Sequence, residues 1–220
     1  MTNKKTAIHL HTDRSVFNGQ YKLLSMNDTR DFIIDETYKL LLTKSYEAVS
    51  ISTISDAIGL TKGALYHHFD NKEDLFKAVI DKHFPSFITN GGRTDITLKE
   101  LIDVCAKDAE HVLRSLCPKD MKFNPISFIG LMSDAFRHYS EFAKNKLSEI
   151  DFCINRIRDV VVKAINDNEI RSDIDPTIVA KQIFSTSLGT ATEVLHNYTI
   201  EETINNLKAQ LNQFYALLKK

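Results

Sequence analysis

Two pairs of residues in the N-terminal third of the chain have the types and the spacing to contact a nucleic acid. Lys62 and Tyr66 are four residues apart, and so are Gly63 and His67. Residues at this spacing lie on one face of an α-helix, so both pairs share a surface if the stretch is helical. Lysine can meet a phosphate or a guanine edge, tyrosine and histidine carry polar tips, and glycine lets the backbone approach closely. The same pattern also fits the solvated face of a helical hairpin in an ordinary core.

Two short helices joined by a tight turn are predicted to position that surface. Ser50 or Ser52 can cap the first helix, because a hydroxyl there accepts bonds from the unpaired N–H groups of the first turn. Thr61 can cap the second helix in the same way. Gly59 stands between the two, where the first helix must end in a conformation that often needs a positive φ.

The second of these helices needs a buried face, because a helix this short is not stable alone. Leu65 and Phe69 provide that face, since they are four residues apart and point away from Lys62 and Tyr66. A helix pinned in this way can lie in the major groove of DNA, as the second helix of a helix-turn-helix does.

At these residues the chain resembles the TetR family of bacterial transcriptional regulators. The resemblance covers residues 30–76, with the sequence RDFIIDETYKLLLTKSYEAVSISTISDAIGLTKGALYHHFDNKEDLF. Its most specific piece is GLTKGALYHHFDNKEDLF, in which the family's second helix, its tyrosine and the lysine that follows align without a gap. Two positions depart from the family pattern: Ser45 stands where glycine is usual, and Thr37 where a small alanine is usual. Neither belongs to the candidate DNA-contacting surface.

The resemblance implies an all-α protein of about nine helices, with an N-terminal three-helix helix-turn-helix DNA-binding domain and a C-terminal helical domain for ligand binding and dimerisation. We assign residues 1–26 to an N-terminal extension, 27–89 to the DNA-binding domain and 90–220 to the C-terminal domain. The implied function is that of a ligand-responsive repressor. It would bind a palindromic DNA operator as a homodimer and leave it when a small, largely apolar effector binds. The candidate DNA-binding residues are Ser50, Ser52, Thr53, Thr61, Lys62, Gly63, Tyr66, His67 and Lys72.

The composition agrees with an all-α protein in the cytoplasm. The chain has only 7 glycines and 4 prolines, and apolar residues recur at helical spacing along most of it. Its 3 cysteines are scattered and form no CxxC pair, which is typical of a reduced compartment. No run of residues predicts a membrane span or a signal peptide. We expect no cofactor and no metal site, because His9 and His11 have no further ligands beside them.

The net charge of residues 27–84 argues partly against DNA binding. Residues 27–84 contain seven Lys or Arg and ten Asp or Glu, a net charge of −3, whereas nonspecific DNA affinity depends on neutralising phosphates. However, Lys62 and Lys72 cluster at the candidate surface. Lys72 is placed at the start of a fourth helix capped by Asn71, where it and nearby backbone N–H groups can hold a phosphate.

The fourth helix is predicted to connect the two domains. Pro85 should end or kink it, and a bend there is a natural transmission element. Met26 precedes the recognisable domain, and we expect it to be the biological start of the chain, which mass spectrometry of the native protein tests.

The C-terminal domain is predicted to contain five helices, which begin near Thr97, Pro125, Glu141, Pro176 and Thr199. As the family implies, they would enclose an effector pocket, although an ordinary core has the same composition. The candidate pocket residues are Phe87, Cys105, His111, Phe128, Met132, Phe136, His138, Tyr139, Phe152 and Cys153.

The last two helices are the predicted dimer interface, because small residues in the first of them permit close approach and two such pairs form a four-helix bundle. The first is expected to run to about His196. The alternative is that both apolar stripes belong to the core of one subunit. The candidate interface residues are Phe184, Leu188, Gly189, Leu207, Leu211 and Phe214.

Two other classes of function were weighed. An enzyme is not indicated, because the sequence lacks a glycine-rich phosphate loop, an HExxH motif and a GxSxG motif. A helical protein-interaction module that has lost DNA binding is supported only by the acidic balance of residues 27–84.

Overall fold

A computed structural model of the chain describes residues 14–17, 20–23, 26–84, 86, 92–115, 125–196 and 198–220. Phe87, Pro85, His9 and His11, which carried sequence-based predictions, lie outside the described residues. Within the described part, the fold class is confirmed: nine α-helices form almost all of the structure. None of these helices combines the length and the apolar composition that crossing a bilayer requires.

The chain divides into two compact units, one ending at Val79 and one beginning at Ile80. The division falls inside the fourth helix, so this single helix contributes residues to both units. It lies N-terminal to the boundary that was placed after residue 89 on sequence grounds.

The first unit opens with a short antiparallel hairpin that the sequence did not predict, because two four-residue strands carry too short an alternation to recognise. Arg14 pairs with Leu23, and Phe17 pairs with Gln20. Helices and a 3-10 turn follow. The elements of this unit are β1 (Arg14–Phe17), β2 (Gln20–Leu23), α1 (Met26–Leu41), a 3-10 turn (Tyr46–Ala48), α2 (Ile51–Ile58), α3 (Lys62–His68) and α4 (Lys72–His83).

The second unit consists of five helices with a long central one. Its elements are α5 (Leu98–Ser115), α6 (Pro125–His138), α7 (Ser140–Asn166), α8 (Pro176–Thr190), a 3-10 segment (Ala191–His196) and α9 (Ile200–Leu218). The helix that was expected to run to His196 therefore leaves the α conformation after Thr190. Short 3-10 segments are frequent at the ends of α-helices.

Local side-chain bonds fix where several of these helices begin. In the two predicted capping boxes, Thr97 with Glu100 and Thr199 with Glu202, each threonine hydroxyl accepts the N–H three residues on, and each glutamate accepts the threonine N–H. Asp175 accepts the N–H groups of Thr177 and Ile178, with a proline at the first helical position of α8.

The core of the second unit is formed by residues of α5, α7, α8 and α9. Ile102, Val160, Ile183 and Leu211 are among its buried members, and the apolar face of α9 packs into it. Leu207 and Leu211 are therefore part of one subunit's own core, and the prediction that they form the dimer interface is corrected. A single apolar stripe does not reveal from the sequence which partner will cover it.

The two leucines of α9 at positions 211 and 217 should differ sharply in their effect on stability. Leu211 is 1% exposed and Leu217 is 66% exposed. Leu211→Ala should lower the free energy of unfolding by about 2–5 kcal/mol through lost burial and a residual cavity. The matched change Leu217→Ala should cost less than about 0.5 kcal/mol. Urea unfolding followed by circular dichroism measures both, and equal losses would contradict this packing.

Candidate functional site

Helix α2 begins with a serine cap and ends with a glycine. Ser50 Oγ accepts the Thr53 N–H at 3.1 Å, and the two hydroxyls lie 2.9 Å apart. Gly59 ends the helix at φ +71°, a left-handed conformation that costs other residues free energy. The Ser55 hydroxyl, which is buried, donates to the Leu60 carbonyl and closes the turn toward α3.

Helix α3 is held by two apolar side chains, one within the helix and one directly after its last residue. Thr61 caps it by accepting the Ala64 N–H at 3.2 Å. Leu65 and Phe69 are both buried in the core of the first unit, and the Arg30 guanidinium lies 4.9 Å from the centre of the Phe69 ring. This contact covers the apolar side of α3. The packing of these side chains therefore fixes the orientation of the helix, which is too short to be stable alone.

The opposite face of α3 is open to solvent, and it carries the residues that were singled out by their spacing. Lys62, Gly63 and His67 are exposed, and the Tyr66 side chain is 55% exposed. On α2, Ser52 and Thr53 are half-buried, while Ser50 is exposed beside the turn. The structure therefore leaves the charged and polar members of the set on α3 open to solvent, and Ser50 at the capped start of α2 is open to solvent as well.

Lys72 has a different environment from the other candidate residues. Its Nζ donates to the Tyr46 carbonyl at 3.1 Å and lies 3.8 Å from the centre of the Tyr46 ring. The Tyr46 ring in turn packs 4.5 Å from the ring of Phe76, and burial raises the pKa of its hydroxyl, with Glu73 and Glu47 acting in the same direction. Lys72 thus joins the start of α4 to the 3-10 turn, a contact that its position in the sequence does not predict.

The start of α4 is capped as predicted. Asn71 Oδ1 accepts the Asp74 N–H at 2.9 Å, and Asp74 Oδ2 accepts the Asp70 N–H at 3.1 Å. Carboxylates in a first helical turn are stabilised by the helix dipole.

Three of the candidate pocket residues lie in a cluster of aromatic rings at the end of α4. Phe84 stacks on Phe128 with ring centres 4.9 Å apart and meets Phe142 edge-on at 5.4 Å. Phe136 and Tyr139 contact the other side of Phe142, at 5.5 and 6.2 Å. We call these five residues the aromatic cluster. Phe142 was not selected from the sequence, although its position on the inward stripe of α7 would have identified it.

Two further candidates, Cys105 and Cys153, lie together elsewhere in the second unit. Burial raises the pKa of the Cys105 thiol to about 12 and that of Cys153 to about 11, so both thiols stay protonated. Asp108 and Arg156 stand beside them, and both are buried. The sequence did not predict that these two charged residues are buried, because a buried helix position is predicted from an apolar residue type.

The remaining candidates have mixed placements. Met132 and His138 are half-buried, His111 is exposed, and Phe152 is largely exposed with its ring against Gly92. On α8, Leu188 is 54% exposed and Gly189 is exposed. Phe184 and Phe214 are half-buried and pack against the core of their own unit.

Comparison with known proteins gives one family. Residues 33–79 match the family model described as bacterial regulatory proteins, tetR family. The negative transcriptional regulator IcaR of the Staphylococcus epidermidis biofilm operon is 34% identical over 59 residues, which is 27% of this chain and 32% of IcaR. The TetC protein of transposon Tn10 from Escherichia coli is 25% identical over 163 residues, which is 70% of this chain and 75% of TetC. The match to IcaR thus spans about a third of that relative's length.

A solved structure has the same fold over most of the chain. NalD, the secondary repressor of the MexAB-OprM multidrug efflux pump in Pseudomonas aeruginosa, superposes with a TM-score of 0.60. The alignment covers 85% of this chain and 95% of NalD at 17% identity. The family model matches residues 33–79 alone, whereas the superposition with NalD covers most of the chain.

Two glycines near the turn should respond oppositely to the same substitution. Gly59→Ala should lower the free energy of unfolding by about 1–2 kcal/mol, because φ is +71° there. Gly63→Ala should raise it by about 0.5 kcal/mol, because a Cβ at this helical position would meet only the Thr61 hydroxyl, 3.8 Å away. Thermal and urea unfolding measure both, and a stabilising Gly59→Ala would contradict the described turn.

Proposed function

Because this chain belongs to the TetR family of bacterial transcriptional regulators, we propose that it is a cytoplasmic repressor that binds a palindromic operator as a homodimer. The observation that carries the proposal is the division of α3 into two faces. Leu65 and Phe69 are buried, while Lys62 and Tyr66 on the other face are exposed. The proposal includes DNA-binding regulation, the operator and the regulated genes.

In the proposed complex, α3 lies in the major groove. Lys62 contacts a phosphate or a guanine edge, Tyr66 and His67 contact phosphates or bases, and Gly63 admits the close approach of the backbone. The hydroxyls of Ser50, Ser52, Thr53 and Thr61 lie around the starts of α2 and α3, where they are available to bond phosphate oxygens in addition to their capping roles.

Lys72 is proposed to act at the edge of this interface. Its ammonium group already bonds the Tyr46 carbonyl, so a phosphate contact would share or replace that bond. In either case the positive charge remains at the start of α4, whose unpaired N–H groups also favour an anion.

The alternative function, a helical interaction module without DNA binding, is favoured only by the acidic balance of residues 27–84. That balance predicts weak nonspecific DNA affinity rather than no specific affinity, because base contacts and shape supply the sequence preference. The exposed lysine, tyrosine and histidine on one short helix favour the operator-binding proposal.

Substitutions on the exposed face of α3 test this function directly. Lys62→Ala and Tyr66→Ala should each weaken binding to a duplex that the wild-type protein selects from a random-sequence library. The expected loss is about tenfold or more, as for single base or phosphate contacts. Fluorescence anisotropy at fixed salt measures the affinity. The matched control is Lys39→Ala, on α1, where Lys39 pairs with Glu36 at 2.8 Å.

The control should leave the affinity unchanged. If Lys62→Ala and Tyr66→Ala also leave it unchanged, or if no duplex is selected at all, the proposed function is wrong and the interaction module becomes the better account.

Dimerisation is proposed to use the exposed faces of α8 and α9 rather than their buried stripes. Ile178, Leu188 and Gly189 are exposed on α8, and Ala209 is exposed on α9. These exposed residues are apolar or small, which suits close packing of helices from two subunits in a four-helix bundle. A two-fold axis through that bundle would present two α3 helices to the two halves of a palindrome.

A charged residue at position 188 should weaken the proposed dimer. Leu188→Glu should shift the monomer–dimer equilibrium toward monomer by at least about tenfold and lower operator affinity, because two buried glutamates would face each other near the axis. The matched control is Leu147→Glu on α7, where Leu147 is 58% exposed. Sedimentation velocity measures the equilibrium; a monomeric wild type, or an unaffected Leu188→Glu dimer, would argue against this interface.

The effector is proposed to act through α4. This helix is continuous from Lys72 to His83, and Phe84 immediately after it is part of the aromatic cluster. Tyr139 of the cluster also donates a hydrogen bond to Asp81 on α4 at 3.3 Å. A small, largely apolar molecule that favours one arrangement of these rings would bias the position of α4. Such a population shift requires unequal effector affinity for the two states.

A further inference from the structure

The face of α7 that points into the second unit carries an unusual series of polar side chains. Lys146, Glu149, Cys153 and Arg156 follow one another at steps of three and four residues, the spacing of a single helical face. Lys146, Cys153 and Arg156 are buried, and Glu149 is half-buried. Buried charges cost free energy unless partners compensate them, so each needs an explanation in its contacts.

The charge at the start of this series is compensated within α7. Lys146 Nζ donates to Glu149 Oε2 at 2.7 Å, an ion pair between residues three apart. A short, charge-assisted bond of this kind offsets much of the cost of burying both groups. The pair needs no other molecule.

The guanidinium of Arg156 is not compensated in this way. Its side chain is 7% exposed, and its Nε donates to the Arg93 carbonyl at 3.3 Å. Nη1 lies 3.6 Å from Asp108 Oδ2, which is beyond hydrogen-bond distance. Nη2 is buried and has no hydrogen-bond partner among the described residues. A guanidinium has five N–H donors, and the two on Nη2 find no acceptor among the described residues.

The neighbouring groups cannot use that capacity. Cys105 and Cys153 have raised pKa values and stay as neutral thiols, which are weak acceptors. Asp108 supplies one negative charge but at a distance that leaves the outer edge of the fork open. An unsatisfied buried donor costs free energy, and a bound molecule that accepts from it is one way in which a native structure recovers that cost.

The chain also closes over this part of α7 from outside. Arg93 contributes its carbonyl, and Gly92, at φ +73°, lies so near the Phe152 ring that a Cβ there would be 2.8 Å from the ring. Glycine is therefore required for the backbone to pass over α7 at this point. Deeper in the unit, the surroundings become apolar, with Ile102, Ile157 and Val160 in the core.

From these contacts we propose that Arg156 binds the carboxylate of an apolar monocarboxylic acid, with the fork of Nη1 and Nη2 donating to its two oxygens. The planar, paired oxygens of a carboxylate match the guanidinium fork, and the core residues accept an apolar body. A monoanion fits better than a phosphate dianion, because Asp108 already neutralises part of the Arg156 charge. That this acid is the effector rests on the function proposed above; the binding itself does not.

The test is thermal unfolding of the full chain with a panel of acids, from butanoate to hexadecanoate and including phenyl-substituted acids, each paired with its methyl ester. At least one acid should raise the melting temperature by several degrees while its ester, which has the same apolar body without the charge, does not. Isothermal titration then gives its dissociation constant. Arg156→Gln should weaken that binding by about tenfold or more, and Arg156→Lys should weaken it less.

The matched control is Arg158→Gln. Arg158 lies on the same helix, is partly exposed and pairs with Asp159 at 2.9 Å, so its loss should leave acid binding unchanged. If Arg156→Gln does not fold because Asp108 is left without its counter-charge, Asp108→Asn combined with Arg156→Gln removes both charges and serves in its place. The proposal is overturned if no acid stabilises the protein more than its ester, or if the Arg156 variants bind the acid as the wild type does.

Operator binding measured in parallel separates the two proposals. A protein that binds its selected duplex but no acid of the panel retains the proposed function and loses this inference. A protein that binds an acid through Arg156 but no duplex retains the inference and loses the function. If both hold, the acid should also release the duplex, and release should be lost in Arg156→Gln.

Discussion

The burial of Leu65 and Phe69 is the interaction on which the rest of the first unit depends. Helix α3 has seven residues, too few to be stable in water without packing. The two side chains fix which way the helix faces, and the proposed DNA contacts of Lys62, Tyr66 and His67 follow from that orientation. The Thr61 cap and the positive φ of Gly59 set where α3 begins, so packing and backbone conformation act on the same short segment.

A second constraint acts at α4, which belongs to both units. Its start is tied down by the Asn71 cap and by Lys72 on Tyr46, and its end leads into the aromatic cluster through Phe84. The two ends of α4 are thus held by side chains of different units. This is the physical basis of the proposed effector response.

The sequence predicted what depends on neighbours along the chain. The caps at Thr61 and Thr199, the glycine turn at Gly59 and the two faces of α3 follow from local rules, and all are present. Prediction from the sequence failed where a residue distant in the chain determines what covers a side chain. The stripe of α9 is the same whether another subunit or the same core covers it, so Leu207 and Leu211 were misassigned. Likewise, the sequence predicts a surface position for Arg156, whereas in the structure α5 and residues 92–93 cover it.

Hydrogen–deuterium exchange of the full chain with and without its selected duplex tests the central claim most directly. The account predicts that DNA slows amide exchange in residues 50–53 and 61–67, while the exchange of α9 stays the same or falls slightly through the dimer. Slower exchange confined to other parts of the chain, or unchanged exchange in α3 on a duplex that is demonstrably bound, would contradict the placement of α3 in the groove.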